Sequence, residues 1–403
     1  MPLPAILTAL ILAASALSTA QVDPYTKGDP EALRAAGYES LGPFPFGTNH
    51  TSSDIQILLA NEPLLWIETA HFRIGCALSP RSLPGVKDRN RDQEALHSLR
   101  EELQRLARRV PRVQPDANRL DEWLRAHLIA QRAEDIYREV LGNLGCSDAD
   151  FPPAPGDDPK QAATFRGLGP FLGLPQKYTI LLLQKSASLS RYTAAYQSWG
   201  TPSPQRYSDH RFGCAFFGAC EESDGGLLRN DLALRTHLAF HVAHNLYQSY
   251  RSYGHNLPAW LLTGLAHRHA RRISGRYPIY DLRDPQGAEL LAYATWDKRA
   301  QALPRSKGLE PLETFLERMD VGTFSSHDHL QCWALVDWLM TQHPKATMQF
   351  LHTMKDPFHD RLRFPTDDEL LARQRAALVQ VFGGGAAPLE DRWRRTPLAV
   401  AKR

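Results

Sequence analysis

The 403-residue chain has only five cysteines and no C-x-x-C pair, which argues against a zinc ribbon or a thioredoxin-type redox centre. It also lacks a G-x-S-x-G elbow, a phosphate-cradling glycine loop and a dinucleotide fingerprint, so common serine-hydrolase and nucleotide-binding chemistries have no foothold. An excess of one charge is missing too. The 47 basic and 44 acidic residues leave a formal net charge of +3, too balanced to point to nucleic acid as the partner. Beyond the leader, no apolar run is long enough to be a membrane span. What is present is 43% hydrophobic and 23% charged, a composition that builds a large folded core and excludes disorder as the main state.

The opening MPLPAILTALILAASALSTAQ is apolar from Leu3 to Leu17, with small residues at Ser18 and Ala20. It reads as a signal peptide over residues 1–20, cut before Gln21. No Lys or Arg precedes the apolar run, and the alternative is a retained anchor, so a membrane enters only through an uncleaved leader. The expected location is secreted, periplasmic or cell-envelope. In that setting disulfides are allowed. Cys214 with Cys220 would staple one loop, Cys76 with Cys146 would tie a strand to the helices behind it, and Cys332 would remain as a buried thiol.

Residues 21–60 are rich in Gly, Pro and polar side chains and read as an irregular lead-in. Leu64–Leu78 alternates like a strand. Helices are expected from Asp92 to a stop at Pro111 and from about Leu120 to Leu141, then an acidic, proline-rich loop over Cys146–Gln161. The continuous apolar run Lys177–Lys185 predicts a central buried strand, and Arg211–Cys220 a shorter one broken by glycines. Further helices begin near Arg229 and at Pro258. Beyond Tyr280 the chain reads as helical, over Leu330–Gln342, Ala346–Met354 and Asp367–Phe382, the last capped by Thr366 and ended by glycines. The expected architecture is α+β: a small sheet packed on helices over 61–280, with a mainly helical part over 281–403.

The chemistry, if any, lies in THLAFHVAHNLYQSYRSYGHNLPAWLLTGLAHR, Thr236–Arg268. His237 and His241 stand four apart on one helix face, the geometry for sharing a tetrahedral metal. Taken alone, that spacing more often marks a satisfied structural pair. His244 falls on a neighbouring face and suits a hydrogen bond.

The order of elements, with ETAHFRI (Glu68–Ile74), HLAFH (His237–His241), LPAWLLTGLAH (Leu257–His267), QCWALVDWLMTQHP (Gln331–Pro344) and LEDRWRR (Leu389–Arg395), resembles the peptidase MA-like branch of the gluzincin zinc metallopeptidases. The likeness implies that His237 and His241 take the places of the histidines in H-E-x-x-H, with Leu238 where the water-activating glutamate belongs. Pro258, Trp260, Leu261, Gly264 and Ala266 match the P-x-W-L-x-E-G-x-A-E segment. Thr263 stands at the third-ligand position, and His267 replaces the later glutamate.

Leucine cannot take a proton from a metal-bound water, and a neutral hydroxyl is a weak zinc donor. The resemblance therefore implies a degenerate member, probed by three readings. The first is a pseudopeptidase without bound zinc, binding a peptide or protein at an edge strand around Arg211–Cys220. The second is a metal-dependent hydrolase in which His267 joins His237 and His241. The third is a purely structural envelope protein. Against the second, LAHRHARR also reads as a helix end whose His267, Arg268, His269, Arg271 and Arg272 complement the dipole.

Overall fold

The computed structural model describes residues 22–47, 49–60, 62–83, 93–152, 167–209, 213–251, 257–280, 293–357 and 365–396. The leader over 1–20, residues 153–161 of the proline-rich loop, and Arg211 lie outside them. The lead-in holds more order than its composition suggests. Asp29 caps helix α1, Pro30–Ala36, and Gly37 closes it at φ 79°. Strand β1, Tyr38–Ser40, the pair β2, Pro45–Phe46, and β3, His50–Thr51, and helix α2, Ser52–Leu58, follow. Each is too short to show a period in sequence, and distant partners hold them. His127, fully buried, takes Asp23 at 3.2 Å on Nε2 and the Tyr38 hydroxyl at 2.7 Å on Nδ1. The Tyr25 hydroxyl donates to Asp121 at 2.6 Å.

Leu64–Leu78 is two strands rather than one: β4, Leu65–Thr69, and β5, Phe72–Cys76, pair antiparallel across a reversal at Ala70 and His71. The alternation changes phase there, from buried Leu65, Ile67 and Thr69 to buried Phe72 and Ile74, but no Gly, Pro, Asn or Asp stands at the reversal to mark it as a turn. The reversal is fixed from outside by Glu134, which accepts from the His71 amide at 3.1 Å and lies 2.8 Å from its Nδ1. Next come β6, Arg81–Ser82, helix α3, Gln93–Ala107, β7, Arg119–Leu120, which pairs with β6, and helix α4, Glu122–Leu144. Asp121 caps α4, and Gly145 ends it at φ 64°.

Strand β8, Tyr178–Leu183, is buried at all six positions. Tyr178, Ile180 and Leu182 enter the main core against the helices, while Leu181 and Leu183 enter a second core on the opposite face. Burial on both faces is why its sequence is apolar without alternation. Helix α5, Ser186–Tyr196, then leads to the hairpin of β9, Gln205–Asp209, and β10, Cys214–Cys220. The sheet order is β1-β4-β5-β8-β10-β9. β5, β8 and β10 are mutually parallel neighbours, and the other pairs are antiparallel.

The Cys214–Cys220 strand is no edge, because it pairs with β8 on one side and β9 on the other, leaving β9 outermost. Nor can Cys214 bridge to Cys220: they begin and end one extended strand, about 20 Å apart at about 3.3 Å per residue, far beyond disulfide reach. No two of the five cysteine sulfurs are paired in the structure. The Cys146 sulfur lies 3.7 Å from the Tyr250 hydroxyl, and Cys76 is buried within β5.

The remaining elements are helical: a one-turn α6, Ser223–Gly226, then α7, Asp231–Ser249, α8, Ala259–Ile273, α9, Trp296–Ala302, and α10, Leu312–Phe315. They continue with α11, Ser326–Gln342, α12, Pro344–Met354, α13, Asp367–Phe382, and α14, Ala386–Arg395. The described residues thus make an α+β fold with a mixed sheet and 14 helices. Helix α8 packs on both α7 and α11. One core runs unbroken from Ala36 to Trp393, each fully buried Leu, Ile or Phe contributing about 1.5–3 kcal/mol.

Candidate functional site

Helix α7 begins where the Asn230 side chain accepts from the amides of Leu232 and Ala233, and from Thr236 to Ala243 every residue is buried. It is therefore a core helix, covered on one side by the sheet and on others by α4 and α8. Asn245 ties it to the sheet by donating to the Phe216 carbonyl at 3.1 Å. Leu238 is fully buried in the main core. The place where the resemblance sets a general base is ordinary apolar packing.

His241 faces the β9–β10 hairpin. Arg206 of β9 and Phe217 of β10 are register partners, and directly opposed residues share a face. Both reach His241: Phe217 stacks on the ring at 4.6 Å between centroids, and Arg206 Nη1 lies 2.8 Å from its Nδ1. A guanidinium can only donate. Nδ1 of His241 is therefore the acceptor, and the imidazole is neutral with its proton on Nε2. Burial, and next the charge of Arg206, hold its pKa well below the ordinary value.

His237, one turn earlier, has its ring 6.0 Å from that of His241. Neither of its nitrogens makes a hydrogen bond. The nearest charge is Asp224, whose Oδ2 is 3.6 Å from Nε2, too long for a hydrogen bond. Asp224 is brought over the helix by a left-handed backbone at φ 53°, followed by Gly225 and Gly226 at φ 67° and 88°. Burial pushes the His237 pKa down to about 3.

Thr263, on α8, is 1% exposed and its Oγ1 has no hydrogen-bond partner. His267, one turn on, does not join the α7 histidines. Its Nε2 pairs with Nδ1 of His329 on α11 at 3.0 Å, and the Phe240 ring sits edge-on against it at 4.8 Å. Nor is it a solvated helix end: His267 is fully buried and His269 4% exposed. The dipole reading survives only for Arg268 and Arg272, which pair with Asp337 and Glu139. His269 also sits near Glu139, with its Nδ1 at 3.4 Å. Arg271 is instead buried over the Trp333 ring, 4.2 Å from its centroid.

The three imidazoles are thus not assembled around one point, and among the described residues no group of three His, Cys, Asp or Glu side chains could hold a metal ion. Zinc does not fit this donor set. Two imidazoles need a third strong donor, Thr263 supplies only a neutral hydroxyl, and a permanent cation already faces His241. A +2 ion about 4 Å from a guanidinium meets about 8 kcal/mol of repulsion at an effective dielectric of about 20.

Arg206, Asp224 and His329 are the participants that sequence reasoning passes over. The alternation in QRYSD hints that Arg206 points inward, but nothing local names its target, and Asp224 and His329 carry no signal in their neighbours. Compared with protein-family models, with curated proteins and with solved structures, the chain matches none. Among the described residues no helix is long and apolar enough to cross a membrane.

Proposed function

We propose that this chain is an exported, non-catalytic relative of the gluzincin metallopeptidases, a pseudopeptidase that binds extended polypeptide along the outer strand of its sheet. The observation that carries the reading is the contact of Arg206 with His241. A residue on the strand that would border a substrate donates to the imidazole that would bind metal, so that imidazole's Nδ1 lone pair is used and the local field repels a cation. Buried Leu238 supports it by leaving no base to activate water. Strand β9 ends the sheet on this side, and an added peptide strand would complete its ladder.

The test has two parts. Elemental analysis of the purified chain should find no stoichiometric zinc, and casein should not be cut in a chelator-sensitive manner; one tightly held metal per chain, or such cleavage, defeats the reading. Reduced, unfolded casein should slow amide exchange at Gln205–Asp209 and leave Leu65–Thr69 unaffected. Equal exchange at β9 with and without casein removes the polypeptide-binding part.

A further inference from the structure

Away from the histidines, a cavity of about 510 Å³ opens at the start of α7, lined among others by Ser79, Arg81, Arg125, Glu221, Arg229 and Asn230. Three guanidiniums and one carboxylate face it. Arg125, from α4, is the most buried of the cations at 2% exposed. Its Nη1 donates to Glu221 and to the Ser79 carbonyl, but Nε and Nη2 are buried with no hydrogen-bond partner. Glu221 does not meet them: its Oε1 accepts from Nη1, and its other oxygen is turned to the Ser79 amide at 3.3 Å. Leaving the donors of two charged nitrogens unmade costs far more than an average hydrogen bond contributes.

The surroundings raise the positive potential further. Arg81 donates to the Arg229 carbonyl, which fixes it at the rim without neutralising it. Arg229 is exposed, and the carboxylate it approaches, Glu222, is 4.0 Å away and also exposed, so water screens that pair. The positive end of the 19-residue helix α7 points the same way. Glu221, already engaged by Arg125, is the one carboxylate in the lining, and Asp231, the next charge behind Arg125 and Arg81, is itself held by Arg132.

We infer that this cavity is a binding site for a small molecule carrying an oxyanion, a carboxylate or a phosphate, which completes the hydrogen bonds of buried Arg125 and is gripped at the rim by Arg81 and Arg229. Guanidiniums match the planar, two-oxygen edge of either group. The volume suits a whole small molecule rather than a lone ion.

Isothermal titration of the full chain with inorganic phosphate, and separately with succinate, at matched ionic strength in chloride, tests it. At least one anion should bind saturably with one site per chain, and which of the two binds tells a phosphate ligand from a carboxylate one. Arg81→Gln and Arg229→Gln sit at the rim and should fold normally, each weakening binding about tenfold. Arg125→Gln should abolish it. If that variant does not fold, Glu221→Gln serves instead: it keeps the guanidiniums, removes the competing carboxylate, and should tighten binding. No saturable binding of either anion by the folded wild type overturns the inference, as does binding unchanged by Arg81→Gln, Arg229→Gln and Glu221→Gln.

Discussion

Arg206 and Phe217, opposed across the β9–β10 ladder, close on His241 together, one through a hydrogen bond at 2.8 Å and one through a ring stacked at 4.6 Å. With His237 and His267, His241 makes three histidines that burial holds neutral, the first at about 3 and the others well below their ordinary value. In acid the unfolded chain binds protons at these imidazoles that the folded chain refuses. Their contribution to stability is therefore intact above pH 6.5 and is lost as the pH falls below it, at up to about 4 kcal/mol per pH unit for three groups. Urea midpoints should drop steeply between pH 7 and pH 5. Arg206→Met, which removes one cause of the His241 depression, should make that slope shallower. A flat profile would contradict the neutral histidines.

His71 predicts the opposite slope at alkaline pH. Its ring stacks on Tyr137 at 3.6 Å and bonds Glu134 and Asp148, and although burial opposes the charge, these partners raise its pKa to about 9. The stabilisation is complete below about pH 6.5 and disappears as the pH climbs through 9. His71→Asn should be destabilised relative to wild type at pH 6 by about 2–3 kcal/mol, and the gap should close by pH 10. A constant gap in chemical unfolding would refute the charged state.

Lys355 works against His71. Fully buried at the end of α12, it donates from Nζ to the Gln248 carbonyl at 2.5 Å, and burial lowers its pKa to about 7. From pH 7 to about 10 the unfolded chain carries a proton there that the folded chain lacks, so this residue makes stability rise with pH. In the wild type the two slopes offset each other between pH 7 and 9. Lys355→Met should expose the downward slope of His71 over that interval, measured by urea midpoints at half-unit steps.

Gly264 marks the closest approach of α8 to α11. A methyl group there would fall 2.4 Å from Val336 Cγ2 and 2.5 Å from the Cys332 carbonyl oxygen, and the latter is backbone that cannot rotate aside. Gly264→Ala should destabilise by about 1–3 kcal/mol or more despite alanine's better helix propensity. Gly142→Ala, in α4 with nothing within 4 Å of the added carbon, is the control and should be neutral or mildly stabilising.

What was legible in the chain follows the range of the interactions. Helix α13 matches its expected bounds, Asp367–Phe382, because Thr366, Glu369 and Gly383 write both ends locally. Central β8 was readable from six consecutive buried positions. The reversal at His71 was hidden because its anchor, Glu134, is 63 residues away, and β1 because its pairing with β4 lies outside the lead-in. The helix bearing His237 and His241 could be placed from its period, but the fate of each imidazole could not. His241 is decided by a strand 35 residues earlier and His267 by a helix 62 residues later, and four-residue spacing reports neither.

The tight crossing at Gly264 also has a mechanical side. Two helices in backbone contact cannot slide or swing without shearing that seam, and α8 is packed with equal intimacy against α7. Helices α7, α8 and α11 therefore move as one block. Any breathing that admits a ligand between hairpin and helix has to come from the β9–β10 side, where a single outer strand is the lightest part of the sheet.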